Sequence, residues 1–310
     1  MGKKEFRIPS RDGVHKLHVV LWEPEGDIRG VVQISHGMTE MIERYEDFAL
    51  FLNKNGYVVI GNDHLGHGLT AGNASDLGYF CPEKMGATVV TDLHRTTRIA
   101  KKKYPHKPYI LFGHSMGSFI ARRYIMTYGM ELDGAIICGT GTKSRLVLWS
   151  GKWTAAIIRL VCGDQFRSKL LEKGAFSSYQ KKILNPRTEN DWLTRDESVV
   201  DFYRNNPYCN FNFTVNGYRT LFDVLSFIQD KHHIRQIPDS LPLLFVAGEA
   251  DPVGNYGKGV KKVYQSYQAA GLKDLSIKLY PEDRHEILNE LDKDTVYQDI
   301  LGWILEKTKV

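Results

Sequence analysis

Strict alternation is rare in this chain; short, unbroken apolar runs separated by glycine and asparagine carry most of the pattern. "HKLHVVLWEP" mixes alternation with β-branched residues and predicts a strand. "GVVQISHG", a short buried run, and "YVVIGND", "PYILFGH", "GAIICGT", "PLLFVAG" and "LSIKLYP" predict six more. Helical spacing fills the intervals. It predicts helices from about Met41 to Asn55 (closed by Gly56), Lys84 to Lys103, Ser115 to Gly129, Gly257 to Ala270 and Thr295 to Lys307. Strands alternating with helices imply right-handed crossovers and a mostly parallel sheet covered on both sides.

One stretch breaks the rhythm. From about Lys143 to Pro238 the sequence is helical and aromatic with no clear buried strand. It falls between two predicted strands, so it is expected to lie over their carboxyl ends, where open α/β sheets bind ligands. The expected organisation is a core of residues 1–142 and 238–310 with a helical cap, or lid, of residues 143–237.

The 310 residues have ordinary globular proportions and a net charge of +5, which excludes a disordered or fibrous chain. Lys101, Lys102 and Lys103, with Lys107, are read as a solvated helix end, since no stacking aromatics or nucleic-acid module accompany them. No nucleic-acid partner is expected. Four cysteines, Cys81, Cys138, Cys162 and Cys209, form no C-x-x-C pair and imply neither a disulfide framework nor a thiolate metal site. No apolar signal region follows "MGKKEFRIPS", and no apolar run reaches membrane-spanning length. The expected location is cytoplasmic, with peripheral membrane contact through the cap as an option.

The chemistry centres on "GHSMG", which follows the strand "PYILF" and opens a helix. A serine hydroxyl needs a base to take its proton and donors to receive the oxyanion. In a G-x-S-x-G turn, side chains beside the serine would collide with backbone, so Gly113 and Gly117 make room and Ser115 is presented at a helix start. Oxyanion donors are then expected at the backbone N–H groups of Met116 and of Met38, the latter just after the strand ending in His36-Gly37. An acid and a histidine should follow in that order. "GEADPVG" offers Asp251, with Glu249 in reserve, and "EDRHEILNE" offers His285. His114 is expected to pack or hydrogen-bond beside the turn. His64 and His67 have H-x-x-H spacing with Asp63 nearby, but lack the one-turn helical context of a zinc site. No metal or cofactor is expected.

With these residues in hand, the chain resembles the α/β-hydrolases of the monoacylglycerol lipase and lysophospholipase group, the serine-aminopeptidase-like branch. The likeness runs through "HGMTEMIERYEDFALFLNKNGYVVIGNDHLGHG", "GHSMGSFIARRY", "GEADPVG" and "YPEDRHEILNE". It implies an α/β-hydrolase fold, nucleophile Ser115, acid Asp251, base His285, and oxyanion donors Met38 and Met116. It also implies that "DHLGHG" is a structural loop, and "WLTRDESVVDFYRNNPYCNFNFT" resembles lid segments of bacterial members. One departure is Ser118, where the group often has another glycine. Ser115 excludes the epoxide and haloalkane hydrolases of this fold, which use aspartate. The expected partner is a small-molecule ester with an acyl chain. Short esters or thioesters, aminoacyl substrates recognised by cap acids such as Glu189, Asp191, Asp196, Glu197 and Asp201, and a non-catalytic binding role are the alternatives.

Overall fold

β3 (Gly30–Ser35), β4 (Tyr57–Asn62), β5 (Tyr109–His114), β6 (Gly134–Cys138) and β7 (Leu243–Gly248) are buried at every position, as strands covered on both faces must be. A computed structural model describes residues 2–308. Its eight-stranded sheet adds β1 (Gly2–Pro9), β2 (Lys16–Glu23) and β8 (Leu275–Tyr280), in the order β1-β2-β4-β3-β5-β6-β7-β8. β1 and β2 run antiparallel to their neighbours and all other pairings are parallel. β1 is the strand the pattern did not predict. It is a mostly exposed edge ribbon that buries only Ile8, so it has little apolar signal to read.

The alternation within each strand sorts its side chains to two cores. On one side Val31, Ile60, Leu111 and Ile137 meet α2 (Met85–Lys103), α3 (Met116–Tyr128) and α9 (Lys258–Gln268) through Leu93, Ile120 and Val263. On the other, Val32, Val59, Phe112 and Ile136 meet α1 (Glu46–Lys54) and α10 (Lys293–Thr308) through Phe48, Leu52 and Ile300. The helix predicted from Met41 is split: Ile42–Tyr45 is a 3-10 turn, and α1 starts only at Glu46. Asp63 explains the break, because its carboxylate takes the Ile42 N–H at 2.9 Å and ties that turn to the loop after β4.

Between β6 and β7 the chain forms α4 (Arg145–Cys162), α5 (Lys169–Phe176), α6 (Glu197–Asn205), α7 (Val215–Ile228) and α8 (Lys231–Ile234). Each begins at a side-chain N-cap, Ser144, Ser168, Asp196, Thr214 and Asp230 in turn, whereas α1, α2, α3 and α9 have none. A cap of this kind contributes about 1 kcal/mol, which matters most where helices have no strand to hold their start. Because these strands are parallel, the loops after β3, β5, β6, β7 and β8 all leave the carboxyl edge of the sheet.

Candidate active site

Ser115 sits between β5 and α3 with φ +53° and ψ −121°, a region that non-glycine residues seldom occupy. The neighbouring glycines are required by space. A Cβ at Gly113 would stand 2.5 Å from the Gly117 carbonyl oxygen, and one at Gly117 would overlap the Ser35 carbonyl. The strained turn is fixed by Ser115 N–H donating to the Cys138 carbonyl at 3.0 Å and by Ser118 Oγ donating to the Ser115 carbonyl at 2.6 Å. Ser118, the departure noted above, therefore braces the turn from within α3. Ser115 itself stays half-exposed.

His285 lies on the loop between β8 and a 3-10 turn at Ile287–Asn289, and Asp251 on the loop after β7; both are buried. His285 Nδ1 is 3.0 Å from Asp251 Oδ1, close enough for an ion pair, yet its N–H is not aligned with the carboxylate as a hydrogen bond requires. Asp251 Oδ1 also accepts the Val253 N–H at 2.8 Å, which orients the carboxylate. Glu249, the reserve acid, is exposed at the sheet edge.

His285 is gripped on three sides. Its carbonyl accepts from His114 Nε2 at 3.2 Å, the Trp192 ring lies 5.2 Å from its ring, and the next residue's N–H donates to the Leu193 carbonyl at 2.7 Å. A Cβ at Gly139 would stand 3.1 Å from His285 Cε1, so the end of β6 lies directly under the imidazole. A Cβ at Gly37 would stand 3.1 Å from Ser115 Cβ. The loops bearing Met38, Ser115 and His285 thus converge on one place.

The peptide carrying the Met38 N–H is held by its own carbonyl end. His36 Nδ1–H donates to the Gly37 oxygen at 2.8 Å, while His36 Nε2 accepts the His64 N–H at 2.9 Å, which fixes the neutral tautomer. The Gly37 N–H donates to Glu40, and Thr39, at φ +55°, donates to the Met38 carbonyl and bonds Tyr203 of α6 at 2.5 Å. Met116 is the first residue of α3, where helix N–H groups have no intrahelical acceptor. His64 and His67 do not form a chelating pair. Their rings are 6.5 Å apart and edge-on, and His67 packs among Phe80, Phe211 and Phe213. Burial pushes His67 down to about 3, so it stays neutral.

Behind the turn runs a buried charge network that the motifs did not reveal. Arg44 donates to Glu40 at 2.8 Å and to both oxygens of Glu286 at 2.7 and 2.6 Å. Tyr45 donates to Glu40 at 2.8 Å and bonds His114 Nδ1 at 3.0 Å. Burial alone would raise Glu40, but the His114 hydrogen bond and the Arg44 charge overcome it and hold Glu40 well below the carboxylate range. Burial lowers His114, yet bonding to Glu40 wins and its net shift is upward. The network joins the Met38 loop, the serine turn and the His285 loop. The spacing of Glu40 and Arg44, i and i+4, was its one legible trace.

A second clamp comes from the insert. Arg195 binds Glu290 at 2.9 Å, Asp283 at 2.5 Å and Asp292 at 2.7 Å, all on the His285 loop. Asp283, Glu290 and Asp292 are spaced to hold a cation, and the Arg195 guanidinium fills that role. Glu5, His18 and Glu43 bring ligand atoms as close together, with His18 bound to Asp63 at 2.9 Å.

α4 turns one leucine and two small residues inward. Leu148 and Ala155 are buried, and a Cβ at Gly151 would stand 2.8 Å from the Phe222 ring of α7. Its large apolar residues face outward: Trp149 is 60% exposed, Trp153 56% and Leu160 87%, with Leu146 and Ile157 alongside. No helix among the described residues is long and apolar enough to cross a membrane.

Comparison with known proteins decides the family. Residues 26–292 match the family model described as serine aminopeptidase, S33. The chain belongs to this family. Its fold is that of the α/β-hydrolases. A monoacylglycerol lipase of Mycolicibacterium smegmatis is 27% identical over 94% of this chain and 95% of its own, and a human monoglyceride lipase is 26% identical over 93% and 86%. The crystal structure of a highly thermostable carboxyl esterase from Bacillus coagulans, in complex with glycerol, is 31% identical with a TM-score of 0.92 and 99% of each chain covered.

Proposed function

We propose that this family member is a serine hydrolase that cleaves carboxylic esters of lipid type, monoacylglycerols or lysophospholipids, through an acyl-Ser115 intermediate. The observation that carries the reading is the Asp251–His285 pair at 3.0 Å, on loops that converge on a strained, half-exposed serine. In this mechanism His285 takes the Ser115 proton as the hydroxyl attacks the ester carbonyl. Asp251 holds the ring in the tautomer with its free nitrogen towards the serine and stabilises the imidazolium that forms. The oxyanion is received by the Met38 and Met116 N–H groups, and the His36 bond to the far end of the Met38 peptide strengthens that donor. His285 then protonates the leaving alcohol, and water releases the acyl group by the same steps in reverse. Small rotation of the imidazole aligns its N–H with Asp251, a tightening common on substrate binding.

Residues 143–237 act as a cap over a core of residues 1–142 and 238–310 in this account. The cap's outward Trp149, Trp153, Ile157 and Leu160, flanked by exposed Arg145 and Lys152, suit a lipid surface with anionic character. The four cysteines, all free, fit a reducing compartment. The named relatives, monoacylglycerol and monoglyceride lipases, supply the lipid class.

A shorter-chain carboxylesterase is the second reading, favoured by the similarity to the Bacillus coagulans carboxyl esterase. An aminopeptidase fits less well, because three of the five cap acids are engaged. Asp191 binds Thr188, Asp196 caps α6 and Asp201 pairs with Arg187. Hydrolysis of an ester series of rising chain length separates the readings. Each buried methylene adds up to about 0.8 kcal/mol, so kcat/KM should climb towards medium and long chains. A preference for acetyl esters with no gain on lengthening would overturn the lipid assignment.

A further inference from the structure

Lys143 lies on the loop between β6 and α4, at the point where the chain leaves the catalytic edge of the sheet. Its ammonium is half-buried over the Tyr179 ring, 5.6 Å from the centroid. Among the described residues no carboxylate lies within 4.0 Å of it and no oxygen accepts a hydrogen bond from it. The Lys143 backbone is fixed, its N–H donating to Gln229 at 2.8 Å, so the side chain starts from a defined anchor.

The aromatic stack places this cation relative to the chemistry. Tyr179 meets Trp192 edge-on at 4.8 Å, and Trp192 lies 5.2 Å from the His285 ring. His285 is the group that protonates the leaving alcohol in the mechanism above, so Trp192, which packs against it, is read as bordering the alcohol half of the substrate, with Tyr179 and then Lys143 next in line. Burial lowers the Lys143 pKa and the nearby Asp251 charge only partly offsets this, in keeping with a cation short of a counter-ion. A second lysine, the exposed Lys182, stands 3.6 Å from the Tyr256 ring centroid, on the loop that carries Asp251, with no carboxylate within 4.0 Å among the described residues.

The geometry points to Lys143 as a specificity-determining residue that binds a phosphate anion on the alcohol portion of the ester. The inference rests on the ester-hydrolase reading and narrows it to lysophospholipid-type substrates whose head group carries net negative charge. A phosphate supplies what the unpaired ammonium lacks, at the end of the substrate that leaves past His285.

The test compares hexanoyl glycerol with hexanoyl glycerol 3-phosphate, which share acyl chain and glycerol, on the wild-type enzyme, Lys143→Met and Lys143→Arg. Methionine keeps the stem against Tyr179 and removes the charge. The expected result is a loss of about tenfold or more in kcat/KM for the phosphate-bearing ester alone, the worth of a charge-assisted hydrogen bond, with recovery in Lys143→Arg. Isothermal titration with glycerol 3-phosphate should show binding to the wild-type protein and weaker binding to Lys143→Met, independently of turnover. Equal losses on both esters, or no change on either with unchanged titrations, would overturn the assignment. If the wild-type protein turned over neither substrate nor a p-nitrophenyl ester, the hydrolase reading would fail instead, and the titration alone would still decide whether Lys143 binds phosphate.

Discussion

Replacing Arg44 by methionine isolates the buried charge network from the packing around it. The side chains of Arg44, Glu40 and Glu286 are each only 4% exposed, and Arg44 supplies three charge-assisted hydrogen bonds. Without it two buried carboxylates share a single counter-charge, that of His114. One of them escapes the penalty by taking a proton. From an ordinary value of 4.5, at 1.36 kcal/mol per unit, that costs about 4.8 kcal/mol at pH 8 but only about 0.7 kcal/mol at pH 5. The signs of the two proteins are opposite. In the parent both carboxylates are shifted down, so their contribution is present above pH 4.5 and is lost only as pH falls through the lowered folded values. In the variant one folded value is raised, so stability is present at low pH and lost as pH rises through it. His114 is shifted up and loses its own contribution as pH rises through that raised value, and comparing the two proteins at each pH largely removes this contribution. Urea unfolding followed by tryptophan fluorescence at pH 5, 6.5 and 8 should show the stability gap widening by up to about 4 kcal/mol across that range. Adding Glu286→Gln should flatten it. A gap constant to within about 1 kcal/mol would mean that Arg44 acts by packing alone and would refute the reasoning.

Two further outcomes follow from the site and its surroundings. His36→Phe removes the bond that fixes the Met38 peptide; kcat should fall by up to about a hundredfold with KM little changed, in steady-state assays on a p-nitrophenyl ester. Equal effects on kcat and KM would point to general disruption. Trp149→Ser combined with Trp153→Ser should leave the melting temperature unchanged, since both rings are exposed, and weaken cosedimentation with anionic vesicles by about tenfold or more. Undiminished vesicle binding would remove α4 from the membrane account.

How much of this could be read from the chain varied with the physics involved. The five central strands were plain because burial on both faces demands unbroken apolar runs such as "YILFGH". β1 was not, since an exposed edge needs only backbone pairing and leaves Lys3, Lys4 and Glu5 free to be polar. Gly113 and Gly117 were legible because no side chain fits there. Asp251 and His285 were placed by order along the fold, and they do come within 3.0 Å of each other. Glu40, Arg44 and Glu286 were hidden because their partnership spans 242 residues of sequence between Arg44 and Glu286. Arg195 and Trp192 were hidden for the same reason, reaching His285 and its loop from an insert whose own sequence suggested only helices and aromatics. The outward face of α4 was ambiguous, because an amphipathic pattern does not say which apolar side meets the core; Gly151 against Phe222 settles it.

The central claim is that Ser115 becomes acylated with His285 as its base. Intact-mass analysis after treatment with a fluorophosphonate measures this most directly, followed by peptide mapping of the adduct. The account predicts one adduct per chain, located on Ser115, absent from Ser115→Ala and formed far more slowly in His285→Ala. Ester turnover undiminished in Ser115→Ala, or an adduct mapped to another residue, would contradict it.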